Sequence, residues 1–150
     1  MAGRFFDEWE TGHTIEHELR RTVTETDNLL FTTMTHNTQP LHLDAEAAMA
    51  SEFGRILVNG TFTFSLMVGI TVGDTTAGTL VANLGYDKLV MPKPVFIGDT
   101  LRATSEVVDT RPSKSRPGQG IVTWRHRMWN QRDEIVCECL RSALLRSRGQ

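Results

Sequence analysis

From Ile56 to Gly73 the chain carries no charged side chain, although 23% of its residues are charged. A run of this length suits a membrane span or a buried element. Asn59, Thr61, Thr63, Ser65 and Thr71, with three glycines, make it too polar to span a bilayer. Its β-branched residues keep a buried strand open. Its length and the spacing of Val58, Phe62, Leu66 and Ile70 predict a helix instead. That helix is apolar on nearly every side, so it has to be enclosed. Enclosing a single helix takes a sheet wrapped around it.

The rest of the chain supplies such a sheet. Gly12 to Leu19 reads as an exposed strand. Thr79 to Val90 is a strand pattern interrupted by Gly85, and Met91-Pro92-Lys93-Pro94 ends it. Gly98-Asp99 turns the chain into Leu101 to Val108. Ile121 to Trp129, a tight turn at Asn130 to Asp133, and Ile135 to Leu145 follow. The expected architecture is α+β, with residues 1–150 forming one domain: about five strands, mostly antiparallel, around one long central helix. One such layer leaves a sheet edge uncovered, and pairing with a second copy is the ordinary remedy.

Two shorter helices are predicted before the long one. Thr24 can cap a helix whose third residue is Asp27, a capping box with the shorter acid. Leu29, Leu30 and Met34 give that helix its stripe, and Pro40 forbids its continuation. Asp44 is a natural N-cap for Ala45 to Ala50, with Glu46 favourably placed in the first turn and Phe53-Gly54 as the stop. Between the two helices lies Asn37-Thr38-Gln39-Pro40-Leu41-His42. Pro40 keeps Gln39 out of helical angles. A loop fixed in this way can hold the Asn37 amide and the His42 imidazole toward one point.

This stretch resembles the hydration motif of the MaoC-like dehydratases, or (R)-specific enoyl-CoA hydratases, which reads roughly F-S-x-x-T-G-D-x-N-P-x-H-x-D, then a short helix, F-G, and a later H-G before a long helix. Phe31, Thr32, Thr35, Pro40, His42, Asp44, Phe53, Gly54 and Gly60 stand at matching places. The chain departs from the motif at three: His36 replaces the Gly, Asn37 the catalytic Asp, and Gln39 the Asn. The resemblance covers nearly the whole chain in element order. It implies a hot-dog fold and an acyl-CoA hydratase or dehydratase acting on a 2-enoyl or 3-hydroxyacyl thioester. Coenzyme A would enter as part of the substrate, with no separate cofactor. The Asn-Thr-Gln-Pro-Leu-His form looks similar to members linked to small dicarboxylic acyl-CoAs of the mesaconyl type.

Hydration moves a proton from water, delivers one to the α-carbon and builds negative charge on the thioester oxygen. Imidazole titrates near neutrality and suits the first two tasks. A backbone N–H at a helix start suits the third. The resemblance gives His42 the proton-carrying role and Gly60 the oxyanion role through its N–H, where a glycine lets the thioester approach closely. An amide at Asn37 can orient water but cannot carry a proton. Three outcomes stay open: His42 acts alone while Asn37 holds the water, His36 substitutes as acid, or the site binds acyl-CoA without turnover. Asp44 is better explained by capping than as the missing carboxylate. Gln39 is a substrate-side amide or bonds the loop backbone. Asn59 either donates to the acyl group or caps the long helix. Arg111, Lys114 and Arg116 form a basic stretch that is either solvated or attracts the phosphates of coenzyme A. Phe62, Phe64 and Met67 are candidates to limit acyl length.

Rival readings are a non-catalytic acyl-CoA-binding or assembly subunit, kept open by Asn37, and a hot-dog thioesterase. The latter needs a carboxylate aimed at the thioester carbonyl, and Ile56 to Gly73 offers none. A formal net charge of -2 argues against an electrostatic nucleic-acid binder. The opening MAGRFFDEWE is charged early and lacks a signal-peptide core, so a cytoplasmic protein without a membrane anchor is expected. Cys137 and Cys139 fall on one face of a strand as small buried side chains. His13 and His17 would suggest a metal pair on a helix, but the Thr, Ile and Gly around them favour a strand, and no metal site is expected.

Overall fold

The computed structural model describes residues 3–149, so Met1 and Ala2 of the N-terminal stretch lie outside the described residues. After a 3-10 turn at Phe6–Glu8, the elements are β1 (Thr14–Thr22), α1 (Glu25–Met34), α2 (Pro40–Leu43), α3 (Ala45–Met49), α4 (Gly60–Thr75), β2 (Leu80–Val90), β3 (Thr100–Pro112), β4 (Gln119–Trp129) and β5 (Ile135–Arg146). The strands form one five-stranded sheet in the order β1-β3-β4-β5-β2. Every pairing is antiparallel. The sheet curls around α4, which is the expected hot-dog layout.

Strict alternation builds the concave face. Leu101, Ala103, Ser105 and Val107 of β3 are buried, as are Val122, Trp124, His126 and Met128 of β4. Met67 and Ile70 of α4 pack on Ala103, Met128, Cys137 and Cys139. Both cysteines are free thiols, and burial pushes them up, Cys137 to about 12 and Cys139 to about 11. The convex face instead interleaves charges: Arg125 pairs with Glu106 at 3.1 Å and Arg127 with Glu138 at 2.5 Å.

Several boundaries moved for identifiable reasons. The long helix starts at Gly60, not Ile56, because Asn59 caps it: its side chain accepts the Thr61 N–H. Ile56 to Val58 is extended, with Leu57 bridged to Phe96 and the Val58 N–H donating to the Val95 carbonyl at 2.9 Å. The helix is also not enclosed on every side, since Thr61, Ser65 and Gly69 form one exposed stripe. Helix α3 ends at Met49, where the Ser51 hydroxyl donates to the Ala48 carbonyl; Gly54 serves a later turn at φ 68°. Pro40 opens a one-turn helix of its own, where its missing N–H costs nothing. β3 runs past Val108 to Pro112, so Arg111 is a strand residue opposite Ile121. The interruption expected at Gly85 is a register shift within β2.

A row of polar groups crosses the sheet beneath the C-terminal end of α4. His17 Nδ1 donates to Asp74 at 2.8 Å, Ser105 Oγ donates to His17 Nε2 at 2.7 Å, and His126 Nδ1 donates to Ser105 Oγ at 2.7 Å. This direction leaves His126 Nε2 as a bare acceptor, cheaper to bury than an orphan N–H. Both ring nitrogens of His17 are engaged, and His13 bonds Arg4 instead. The two histidines therefore do not form a pair.

Candidate active site

The predicted capping box forms, with Asp27 bonded to Thr24. It fixes α1 so that Asn28 and Thr32, one turn apart, face inward. Beyond Met34 the chain reverses through His36, whose φ is 56°. That left-handed angle accounts for the glycine of the resembled motif. His36 itself is exposed. The Asn37 N–H then donates to the Thr32 carbonyl at 3.0 Å, and Asn37 Oδ1 accepts the Gln39 N–H at 3.0 Å. One face of the Asn37 amide is thus tied to the loop, while its NH2 group stays available. Gln39 contributes through its backbone, its side chain lying exposed.

His42 sits in the one-turn α2, half-buried. Its Nδ1 donates to the Leu57 carbonyl at 2.7 Å. The acceptor fixes the tautomer, so Nε2 carries the free lone pair. Leu57 lies three residues before Gly60, and the two segments are joined a second time by Asn28. Buried at 2% exposure, Asn28 donates from Nδ2 to the His42 carbonyl and accepts the Asn59 N–H at Oδ1, both at 3.0 Å. Asn59 Nδ2 in turn donates to Thr32 Oγ1 at 3.3 Å. Asn37, His42 and the start of α4 therefore hang on one hydrogen-bonded frame.

Gly60 is the first residue of α4, and no acceptor among the described residues takes its N–H. A Cβ there would fall 2.4 Å from Met91 Sδ, so the glycine is what lets the chain reach the helix start at this closeness. Beside it opens a cavity of about 380 Å³, walled by Phe53, Leu57, Thr63, Met91, Lys93 and Val136. A second, of about 300 Å³, lies next to Met49, Arg55, Ile56 and Ile97, with Arg55 stacked 3.9 Å over Phe96.

The remaining candidates take up definite places around this frame. Asn59 caps α4 through Oδ1 and bonds Thr32 Oγ1 through Nδ2. Asp44 caps α3 by accepting the Glu46 and Ala47 N–H groups. Met67 is core, while Phe62 packs on Phe31 and Phe64 on Tyr86. Arg111, Lys114 and Arg116 are not brought to the site. They stand at the far end of β3 from Thr100, roughly 35 Å along the strand, whereas Gly60 lies near the Thr100 end through Val58 and Val95. The cations beside the site are Lys93 and Arg55. Their signal in the sequence was faint, a lysine between two prolines and an arginine after a turn glycine. Asn28 gave no motif signal at all.

Comparison with known proteins identifies relatives of this chain. Residues 7–130 match the family described as MaoC like domain. Over 147 residues the chain is 37% identical to a mesaconyl-CoA hydratase of Cereibacter sphaeroides, covering 98% of this chain and 42% of that protein. It is 33% identical to a β-methylmalyl-CoA dehydratase of Chloroflexus aurantiacus, covering 97% and 41%. The chain thus spans about two fifths of the length of these curated relatives. The crystal structure of a monoamine oxidase regulatory protein from Archaeoglobus fulgius superposes with a TM-score of 0.87 at 34% identity, covering 98% of this chain and 97% of that one. With the family match over most of its length and these relatives across nearly all of it, the chain belongs to the MaoC-like family of hot-dog proteins.

Proposed function

We propose that the protein hydrates 2-enoyl thioesters of coenzyme A, or dehydrates the 3-hydroxyacyl products, with small dicarboxylic or branched acyl groups of the mesaconyl type as substrates. The observation that carries this reading is the His42 imidazole, oriented by Leu57 with Nε2 free and tied through Asn28 to the helix start whose first N–H is open. The names of the two relatives support the acyl class. Water held by the Asn37 amide gives a proton to His42 Nε2 as its oxygen attacks the β-carbon. The thioester oxygen takes up negative charge against the Gly60 N–H and the positive end of the α4 dipole. The imidazolium returns the proton to the α-carbon, which completes the addition. Chemistry of this kind needs no cofactor beyond the coenzyme A on the substrate.

The same reading includes a homodimer. β2 is an edge strand with Leu84, Tyr86, Leu89 and Val90 exposed along it, an arrangement that a second copy would cover. Arg111, Lys114 and Arg116 would meet coenzyme A phosphates only from such a second copy. Among the described residues no helix is long and apolar enough to cross a membrane. The free buried thiols fit a reducing compartment, which supports a cytoplasmic location. A thioesterase is disfavoured because Asp74, the carboxylate of α4, is engaged by His17. The binding-subunit alternative rests on Asn37. An assay of crotonyl-CoA and mesaconyl-CoA hydration separates the two. Equal rates for the wild type and His42→Ala on both thioesters would replace the enzyme with a binding protein.

A further inference from the structure

We infer that Lys93 receives the distal carboxylate of a dicarboxylic acyl thioester in the cavity beside Gly60. The inference rests on the proposed acyl-CoA function and adds to it the residue that selects the acyl class.

Four observations converge. Lys93 is the charged side chain among those that line the cavity of about 380 Å³, whose other walls include Phe53, Leu57, Met91 and Val136. A lone cation in an apolar recess is a position for a substrate anion. The chain bends at Lys93, whose backbone is restricted on either side by Pro92 and Pro94. Met91, two residues before Lys93, rests its sulfur beside Gly60. Two residues beyond Lys93, Val95 accepts the Val58 N–H at 2.9 Å and locks the segment to the strand that leads into Gly60.

The ammonium is also weakly claimed by the protein itself. Its ion-pair partner is Glu134, at 3.8 Å, with the lysine side chain 57% exposed. Glu134 is served without it, by Arg132 Nε at 2.8 Å and Asn130 Nδ2 at 3.0 Å. Lys93 can therefore turn to a ligand without leaving a carboxylate unpaired. A four-carbon dicarboxylate bound with its thioester oxygen at the Gly60 N–H presents its second carboxylate within the same recess. A monocarboxylic acyl group of the same length leaves Lys93 facing water.

Non-reactive saturated thioesters test this by calorimetry: succinyl-CoA and butyryl-CoA, each also as the pantetheine thioester, against wild type, Lys93→Met and Lys93→Arg. Both substitutions are at an exposed position and keep the stem that packs the wall. Wild type should prefer succinyl over butyryl on either carrier. Lys93→Met should lose about tenfold of that preference, equally on coenzyme A and pantetheine, and Lys93→Arg should retain most of it. A wild type without preference, or a Lys93→Met loss common to both acyl groups, overturns the inference. A loss confined to the coenzyme A carriers also overturns it and assigns Lys93 to the phosphates. Because binding is read without turnover, an enzyme inactive on enoyl thioesters that keeps the Lys93-dependent preference would refute the hydratase reading alone.

Discussion

The Nδ1–H of His42 donates to the Leu57 carbonyl at 2.7 Å, and this one bond decides which imidazole nitrogen faces the site. Replacing His42 by Ala should lower enoyl-CoA hydration by about a hundredfold or more, with the thermal midpoint nearly unchanged because the side chain is only half-buried. Steady-state rates on crotonyl-CoA, together with a melting curve, check both parts. A variant that keeps the wild-type rate removes His42 from the chemistry.

Asn37 shares its Oδ1 with the Gln39 N–H, and a carboxylate can accept the same bond. Asn37→Asp should therefore fold normally and keep or raise crotonyl-CoA hydration by supplying a second proton carrier. It should act in the opposite sense on mesaconyl-CoA, where the new charge repels the substrate carboxylate. The ratio of kcat/KM for the two thioesters is the quantity to compare. An unchanged ratio would mean that this amide does not face the acyl group.

Asn28 joins the His42 carbonyl to the Asn59 N–H inside the protein. Asn28→Ala leaves both groups buried without a partner and should destabilise the fold by about 2–4 kcal/mol. It should also lower kcat more than it raises KM, since the frame positions catalytic groups rather than the coenzyme. Asn28→Asp keeps the acceptor for Asn59 but loses the donor to His42, so it should recover part of the stability. If kcat stays at the wild-type value in folded Asn28→Ala, the frame is structural only.

His126 is held neutral by burial, with the nearby charge of Arg141 adding to the effect, so its folded-state value falls to about 3 from the ordinary 6.5. Between those values the unfolded chain binds a proton that the folded chain refuses. Stability is therefore lost as pH falls through this window, by up to ~1.4 kcal/mol per pH unit. Above the upper value the residue adds no pH dependence. Urea unfolding at neutral and mildly acidic pH should show a smaller acid loss in His126→Gln than in wild type. Identical slopes would show that His126 does not titrate on unfolding.

Leu84 stands 51% exposed on the edge strand β2. If a second copy covers that edge, Leu84→Lys should convert a particle of twice the chain mass into one of single mass during sedimentation, while leaving far-UV circular dichroism intact. Wild type sedimenting as a single chain at micromolar concentration would dismiss the dimer.

Local chemistry determined much of this protein. Thr24 with Asp27, Asp44 before an alanine-rich turn, Pro40 after a polar loop, and the uncharged run into α4 each act through neighbours in the chain, so each was legible in the sequence. The same holds for strand alternation and for the His42 motif. Tertiary structure decided the rest. Asn28 became a frame residue because α1 packs against the start of α4, 31 residues later. Arg111, Lys114 and Arg116 were removed from the site by the length of β3, a distance that charge alone does not encode. Lys93 entered it because Val95 pairs with Val58. Hydrogen bonds between neighbours are fixed by spacing, whereas contacts between distant segments depend on how the sheet closes around its helix, and only the folded chain sets that.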